Sequence, residues 1–288
     1  MKASIGIVLA WSALSLSGEE SWNLTGTVKS VHEDNSAIII QHEGIPGYAE
    51  EAGELELAVD EGDYALASEG LKIRGKLIVK DDRPFLGTIW PADEKTERTM
   101  TTINRDLTRP KIGSVNKGHL KVGDELPRFA LYNQNGDLVT PADLENKVVV
   151  LNFIFTRSTV PSMSAATAKR MAELQDRLQE AKLLDSVVLL SLSLDPEFDT
   201  PGICYSYLQE KDVDHDSYWM LTGSRKTLDF ITKKIGVVSA PSEKTIINHS
   251  MVLLIVDREG KVFHRIPGTR WKLENVYGRL EILLKNWN

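Results

Sequence analysis

The sequence contains a single cysteine, Cys204, and this limits the thiol chemistry open to the protein. A disulfide needs two cysteines, and dithiol exchange needs an attacking thiol and a resolving thiol. We therefore expect no internal disulfide and no dithiol cycle. Cys204 falls in a predicted helix, where an isolated cysteine is usually a small buried side chain. The sequence shows no basic partner that would activate it as a nucleophile.

Composition and motif content exclude several other functions. The chain has 288 residues, 42% hydrophobic and 26% charged, which is typical of a soluble globular protein with room for two modest domains. Its net charge of −7 argues against broad nucleic-acid binding, which usually needs a basic face. We find neither a glycine-rich phosphate loop nor a paired-histidine zinc motif.

The N-terminus has the features of an export signal. Met1 and Lys2 form a short basic start, and residues 5–16 form an apolar stretch that is too short to span a bilayer as a mature helix. Small residues permit cleavage before Gly18, so residues 1–17 are predicted to be a signal peptide. We expect an exported protein, periplasmic or in the cell envelope. The alternative is an uncleaved anchor, the one membrane attachment that we expect.

Two domains are predicted to follow the signal. About five short β-rich segments predict a small closed barrel over residues 21–91. Residues 92–118 are polar and show no periodic spacing of apolar residues, which favours a linker. The alternative is a solvent-exposed surface segment that belongs to one of the domains. Residues 119–288 alternate between strand and helix and end in a hairpin and a helix, the order of an α/β thioredoxin-like fold.

The strands and helices of the second domain follow from hydrophobic patterning. Residues 147–155 and 186–194 are continuous apolar runs, as in strands buried on both faces. Helical periodicity or capping residues predict four helices. They span residues 163–184, 200–211, 228–235 and 273–284, with Thr200 as an N-cap.

Five segments of this domain resemble the Sco/SenC copper-chaperone family and occur in the family's order. Residues 193–201, Ser-Leu-Asp-Pro-Glu-Phe-Asp-Thr-Pro, are very similar to the family's Asp-Pro-x-x-Asp-Thr-Pro segment. Residues 218–223, Tyr-Trp-Met-Leu-Thr-Gly, are similar to its Trp-x-x-Leu-Thr-Gly segment. The others are a redoxin-like opening with a following turn, the strand before the active loop and an Asn-His element: residues 122–137, 152–157 and 248–250.

The resemblance implies a copper site, which this sequence has altered. In the family, two cysteines on a loop, spaced Cys-x3-Cys or Cys-x5-Cys, bind copper together with one histidine. Thiolates and imidazole suit Cu(I) and also hold Cu(II). Here Ser158 and Ser164 stand at the Cys-x5-Cys positions, and Ser162 stands at the alternative spacing. Because a hydroxyl is a poor, hard ligand, we expect this loop to have lost almost all Cu(I) affinity.

His249 and Asp195 remain as candidate metal ligands by resemblance. His249 matches the family's histidine, and Asp195 matches a carboxylate at a strand end, as does Asp199 nearby. Both candidates have structural alternatives: His249 would orient the loop before its strand, and Asp195 would cap the next helical turn. A Ser158–His249–Asp195 triad is disfavoured because its geometry is strict. We predict no catalytic residue and no organic cofactor.

The first domain resembles a small copper-binding β-barrel of the CusF type. Residues 42–48, His-Glu-Gly-Ile-Pro-Gly-Tyr, match the motif that leads into a methionine-rich run in such barrels. In this chain residues 49–55 contain no methionine, so the soft thioether ligands are missing. We interpret His42 as a surface histidine at a strand end rather than a metal ligand.

These observations lead to one favoured function and two alternatives. The favoured function is that of an exported, non-enzymatic Sco-like protein related to copper delivery and cytochrome c oxidase assembly. It would act as an accessory or binding protein, with a respiratory-oxidase subunit or an authentic Sco protein as partner. The first alternative is a weak Cu(II) chaperone that uses His249. The second, a thiol oxidoreductase suggested by the fold alone, is disfavoured by the cysteine count.

Overall fold

A computed structural model describes residues 20–32, 36–108, 119–158, 160, 163–237, 239–240, 248–249 and 251–285. Five strands of the N-terminal part pair in the closed ring β1-β2-β3-β5-β4. They are Ser21–His32 (β1), Ala37–His42 (β2), Gly53–Ala58 (β3), Lys72–Lys80 (β4) and Arg83–Pro91 (β5). All neighbouring strands are antiparallel except β3 and β5, which are parallel.

Apolar and polar residues alternate along the strands, and the apolar side chains fill the interior of this barrel. Leu24 and Val28 of β1, Ile38 and Ile40 of β2, and Leu77 of β4 point into one buried cluster. A short helix, Glu61–Leu66 (α1), interrupts the strands between β3 and β4. It packs the barrel against the second domain. A Cβ added at Gly62 would lie 2.0 Å from the carbonyl oxygen of Gly202, so the two backbones are in direct contact.

A helix, Glu94–Thr108 (α2), occupies part of the segment predicted to be a linker, and this corrects the sequence-based interpretation. Its apolar residues Met100, Ile103 and Leu107 are three and four positions apart, but the polar composition of the segment hid this spacing, and Leu107 is buried in a core of the second domain. The side-chain amide of Asn104 donates to the Ala130 carbonyl at 2.8 Å and accepts from the Ala130 N–H at 2.9 Å. Glu97 pairs with Arg74 of β4. Polar contacts to both domains, together with the buried Leu107, therefore hold this helix.

The C-terminal part is built around one mixed five-stranded sheet in the order β10-β9-β8-β13-β14. Strands β8, β9 and β10 are parallel, and β13 runs antiparallel to β8 and β14. The strands of this part are Leu131–Tyr132 (β6), Leu138–Val139 (β7), Val148–Ile154 (β8), Val187–Ser193 (β9), Tyr218–Leu221 (β10), Ser239–Ala240 (β11), Asn248–His249 (β12), Val252–Val256 (β13) and Val262–Pro267 (β14). The helices are Ser164–Glu180 (α3), Pro201–Gln209 (α4), Arg225–Ile235 (α5) and Leu273–Lys285 (α6).

The central strand β8 confirms the prediction of a strand that is buried on both faces. All seven of its residues are buried. Val149, Leu151 and Phe153 join a core with α5, whereas Val148, Val150 and Ile154 join a second core with α3 and α6. The four predicted helices are present with ends shifted by up to four residues. Thr200 is the N-cap of α4, as predicted, and its side chain accepts from the Ile203 N–H at 3.3 Å.

Among the described residues, no helix has the length and apolar character needed to cross a membrane. The predicted signal segment, residues 1–17, lies outside the described residues.

Candidate metal and redox site

The predicted site lies where β8 and β9 end at the same edge of the sheet, because these two strands are parallel. The loop between β8 and α3 carries Ser158, and Ser164 is the first residue of α3. The described part of the loop begins with a turn in which the Ser158 N–H donates to the Phe155 carbonyl at 3.4 Å. Ser162 lies outside the described residues.

The two serines differ in their environment. Ser164 is fully buried as the first residue of α3, and its hydroxyl oxygen accepts from the Phe155 N–H at 3.3 Å. The Ser158 hydroxyl oxygen is also inaccessible to solvent and has no hydrogen-bond partner among the described residues. The Ser164 hydroxyl therefore holds the loop closed against the end of β8, and neither oxygen is presented to solvent as an open ligand.

Asp195, a candidate metal ligand, is bound to arginine. Its carboxylate accepts from Arg157 Nε at 3.0 Å and from Arg157 Nη2 at 2.5 Å. Arg225 Nη2 lies 3.8 Å from the other carboxylate oxygen. The Arg157 guanidinium also stacks over the Phe198 ring, 4.2 Å from its centroid. Both oxygens of Asp195 thus face positive charge, which opposes the approach of a metal cation.

Asp199 ties together the elements around the site. It is fully buried, and its carboxylate accepts from the Ser193 hydroxyl at the end of β9 and from the Thr156 hydroxyl after β8, each at 2.5 Å. Burial raises the pKa of Asp199 to about 6, although the two hydroxyl hydrogen bonds favour the charged form. The Thr222 hydroxyl donates to the backbone carbonyl oxygen of Asp199 at 2.6 Å. The role of Asp199 is therefore to hold the two strand ends and the start of α4 in register.

Cys204 is a core residue. It is fully buried in α4, and its Sγ lies 3.7 Å from the Asp199 carbonyl oxygen. Burial raises the pKa of the thiol well above its ordinary value, and the nearby charge of Asp199 adds to the rise. A buried thiol that stays protonated at neutral pH is neither a nucleophile nor a metal ligand.

The structure brings some of the predicted site residues together. Ser158 follows Arg157, which binds Asp195, so the loop and the end of β9 are in contact. His249 forms a short antiparallel pair with Ser239, and its side chain lies outside the described part of the structure. In the described segments, no group of three His, Cys, Asp or Glu side chains is arranged to hold a metal.

His42 in the barrel is buried, which corrects its interpretation as a surface histidine. Its ring Nδ1 accepts from the Gly44 N–H at 3.2 Å, across the tight turn that follows β2. A neutral imidazole that accepts at Nδ1 carries its hydrogen on Nε2. Glu50 in the methionine-free stretch is also engaged, because its carboxylate accepts from the Gly47 N–H at 2.8 Å. Both side chains stabilise the turn between β2 and β3.

Comparison with known proteins identifies the second domain. The SCO1/SenC family model matches residues 119–285, which is more than half of the chain. The chain belongs to the SCO1/SenC family. A curated relative, the SCO1 protein homolog of Bacillus subtilis, is 28% identical over 149 residues, covering 50% of this chain and 74% of that protein. The family-model match does not include the barrel or α2.

Two solved Sco structures share the fold. A SCO1/SenC family lipoprotein from Bacillus anthracis aligns with a TM-score of 0.50 and 26% identity, over 59% of this chain and 99% of that one. BsSco, a member of the Sco family of cytochrome c oxidase assembly proteins, aligns with a TM-score of 0.50 and 22% identity, over 57% of this chain and 96% of that one. The thioredoxin-like Sco fold predicted from the sequence is confirmed.

Sequence reasoning missed the two arginines that define this Sco site. Arg157 was visible as the residue before Ser158, and Arg225 lies in the first turn of α5. Arg225 binds the Glu197 carboxylate and also donates to the Leu194 carbonyl at 3.0 Å. A basic residue directly before a candidate ligand position was the available signal for Arg157. Arg225 forms a local ion pair with Asp229, but the partners that tie it to the site, Glu197 and Leu194, are about thirty residues away along the chain, so no local pattern pointed to its role.

Proposed function

We propose that this Sco protein is exported and serves copper delivery and cytochrome c oxidase assembly as an accessory or binding protein, without a cysteine-based copper or redox site of its own. The observation that carries the proposal is the pairing of Asp195 with Arg157, the residue next to Ser158. The structure supplies a guanidinium beside the position where the family would hold a cation. A respiratory-oxidase subunit or an authentic Sco protein is the proposed partner.

The donor set of the loop does not fit copper. Cu(I) prefers thiolate and thioether sulfur, and Cu(II) accepts imidazole and carboxylate. Ser158 and Ser164 offer hydroxyls, and the Ser164 oxygen already accepts a backbone hydrogen bond. Asp195 is neutralised by Arg157, and Cys204 is buried in α4. We therefore derive no copper-transfer or disulfide-exchange step for this protein.

The barrel is proposed to be a CusF-type module that has lost its soft ligands. The support is the motif of residues 42–48, followed by a stretch without methionine. His42 and Glu50 form hydrogen bonds within the turn between β2 and β3, so these two side chains have a structural use. In related modules both sites bind soft metals. If both sites are inactive in this one chain, an accessory role is favoured over the chance loss of a single copper site.

The test is a competition for Cu(I) between the purified protein and a chromogenic chelator. The wild-type protein is expected to remove no Cu(I) from the chelator, whereas the double variant Ser158→Cys, Ser164→Cys is expected to bind one equivalent. The reason is that two thiolates would return soft ligands to a scaffold whose strand ends are already in place. Tight binding by the wild type, at about nanomolar affinity, would contradict the proposal.

Two further variants make the test specific. Ser158→Cys alone supplies only one thiolate and serves as the matched control, with weaker binding than the double variant. His249→Ala in the wild-type chain, titrated with Cu(II), tests the weak Cu(II) alternative. If His249 ligates, this change weakens binding and alters the Cu(II) absorption spectrum; identical spectra would exclude His249 as a ligand.

A further inference from the structure

A cavity of about 520 Å³ lies between the barrel, α2 and the start of α5, away from the site described above. Its volume is in the range of small-molecule sites. The barrel contributes Arg74, and the Sco domain contributes Tyr132 and Lys226. Residues from three separate parts of the chain therefore converge on this space.

The charged side chains of the cavity are mainly cationic, although the protein as a whole has a net charge of −7. Arg74, Arg105 and Lys226 line it, against one carboxylate, Glu97. That carboxylate is already paired with Arg74. Lys226 is exposed and has no ion pair among the described residues. The arrangement favours an anionic ligand.

Tyr132 adds an independent feature that points to a ligand. Its side chain is 98% buried, since only 2% is exposed, and it lines the cavity. Its hydroxyl is closed to solvent and has no hydrogen-bond partner in the described part of the structure, so a ligand group reaches it by displacing a side chain that covers it. Burial raises the pKa of Tyr132, so the hydroxyl stays protonated and is a donor at neutral pH. A buried donor without an acceptor is unfavourable unless a ligand supplies one.

The start of α5 faces the same cavity. Ser224 is the N-cap, and Ser224, Lys226 and Thr227 all line the space. The Ser224 hydroxyl oxygen accepts from the Thr227 N–H at 3.3 Å, so this amide is already capped. The N-terminus of the eleven-residue α5 still carries partial positive charge, which favours an oxyanion beside Lys226 and the Tyr132 hydroxyl.

We propose that this cavity binds a small molecule with two or more oxyanion groups, which accept from the Tyr132 hydroxyl and pair with Lys226. The cavity is too large for a single phosphate, and Tyr132 and Lys226 come from the separate elements β6 and α5, so they can meet separate groups of one ligand. Phosphate and carboxylate groups share this chemistry, and the choice of probe distinguishes them. The proposal is independent of the copper question.

Calorimetric titration with pyrophosphate, and separately with citrate, tests the site in the full chain. Saturable binding of at least one probe is expected, with an accompanying rise in unfolding temperature. Tighter binding of pyrophosphate would assign phosphorylated ligands, and tighter binding of citrate would assign polycarboxylates. If neither probe saturates in the millimolar range, the proposal is overturned.

Three variants separate a built site from diffuse attraction. Tyr132→Phe removes only the hydroxyl and Lys226→Ala only an exposed charge; each is expected to weaken binding about tenfold. Lys233→Ala is the matched control, because this exposed lysine lies at the opposite end of α5. Without ligand, Tyr132→Phe is expected to unfold at the same or a higher temperature. Equal losses in the Lys226 and Lys233 variants, or unchanged binding by Tyr132→Phe, would overturn the proposal.

Discussion

The clearest prediction concerns Asp63, a buried carboxylate in α1 where the barrel meets α4. Its side chain is almost fully buried, and its Oδ1 has no hydrogen-bond partner among the described residues. Burial raises its pKa from 3.8 to about 7, the charge of Asp60 adds to the rise, and a hydrogen bond from the Ile89 amide opposes it. The folded protein therefore holds a proton here that the unfolded chain has released.

The sign of the pH dependence follows from this difference. Below about pH 4 both states are protonated, and the group has no effect. As the pH rises from about 4 to 7, the folded state binds more protons than the unfolded chain, so the free energy of unfolding falls. Three pKa units at about 1.4 kcal/mol each give a loss of about 4 kcal/mol, complete above pH 7. Between pH 5 and pH 8 the loss from Asp63 is expected to be about 2–3 kcal/mol.

The perturbation is Asp63→Asn, which keeps the shape of the side chain and removes the titration. Urea unfolding at pH 5 and pH 8, followed by tryptophan fluorescence, measures the free energy of unfolding of both proteins. The variant is expected to be more stable than the wild type at pH 8, by about 2–4 kcal/mol, and to approach it at pH 5. Asp82→Asn, at an exposed turn position with φ 60°, is the control. Parallel pH profiles for wild type and Asp63→Asn would refute the reasoning.

Two further predictions concern α4. Gly202→Ala would place a Cβ 2.1 Å from Asp63 Oδ1 and 2.8 Å from the Asp63 amide nitrogen, so we expect a loss of about 1–3 kcal/mol in urea unfolding. Gly278→Ala in α6, where a Cβ meets open space, is the control and is expected to be neutral or stabilising; equal effects would contradict the close helix contact. Cys204 is expected to resist a thiol-labelling reagent in the native protein and to react fully in denaturant. Rapid labelling of the folded protein would refute its assignment as a core residue.

Hydrophobic patterning predicted the second domain well because its strands are buried on both faces. A continuous apolar run such as β8 has no other stable environment in a soluble fold, and capping residues such as Thr200 act locally. Elements held partly by polar or backbone contacts escaped the same reasoning. The helix α2 is held by Asn104 and Glu97 as well as by the buried Leu107, and α1 has only six residues. Their partners lie far away along the chain, where local pattern carries no information.

The sequence by itself determined which atoms the candidate site can offer: serine at positions 158 and 164, and a single thiol at Cys204. Side-chain chemistry does not depend on folding, so the hydroxyl oxygens at positions 158 and 164 could be identified directly from the sequence. Only the tertiary structure decided how the remaining groups are used. It placed Arg157 on Asp195, buried Cys204 in a core, and brought Tyr132 and Lys226 to one cavity. Charge pairing and burial depend on distances in space between residues that are distant in sequence, and these distances exist only in the folded chain.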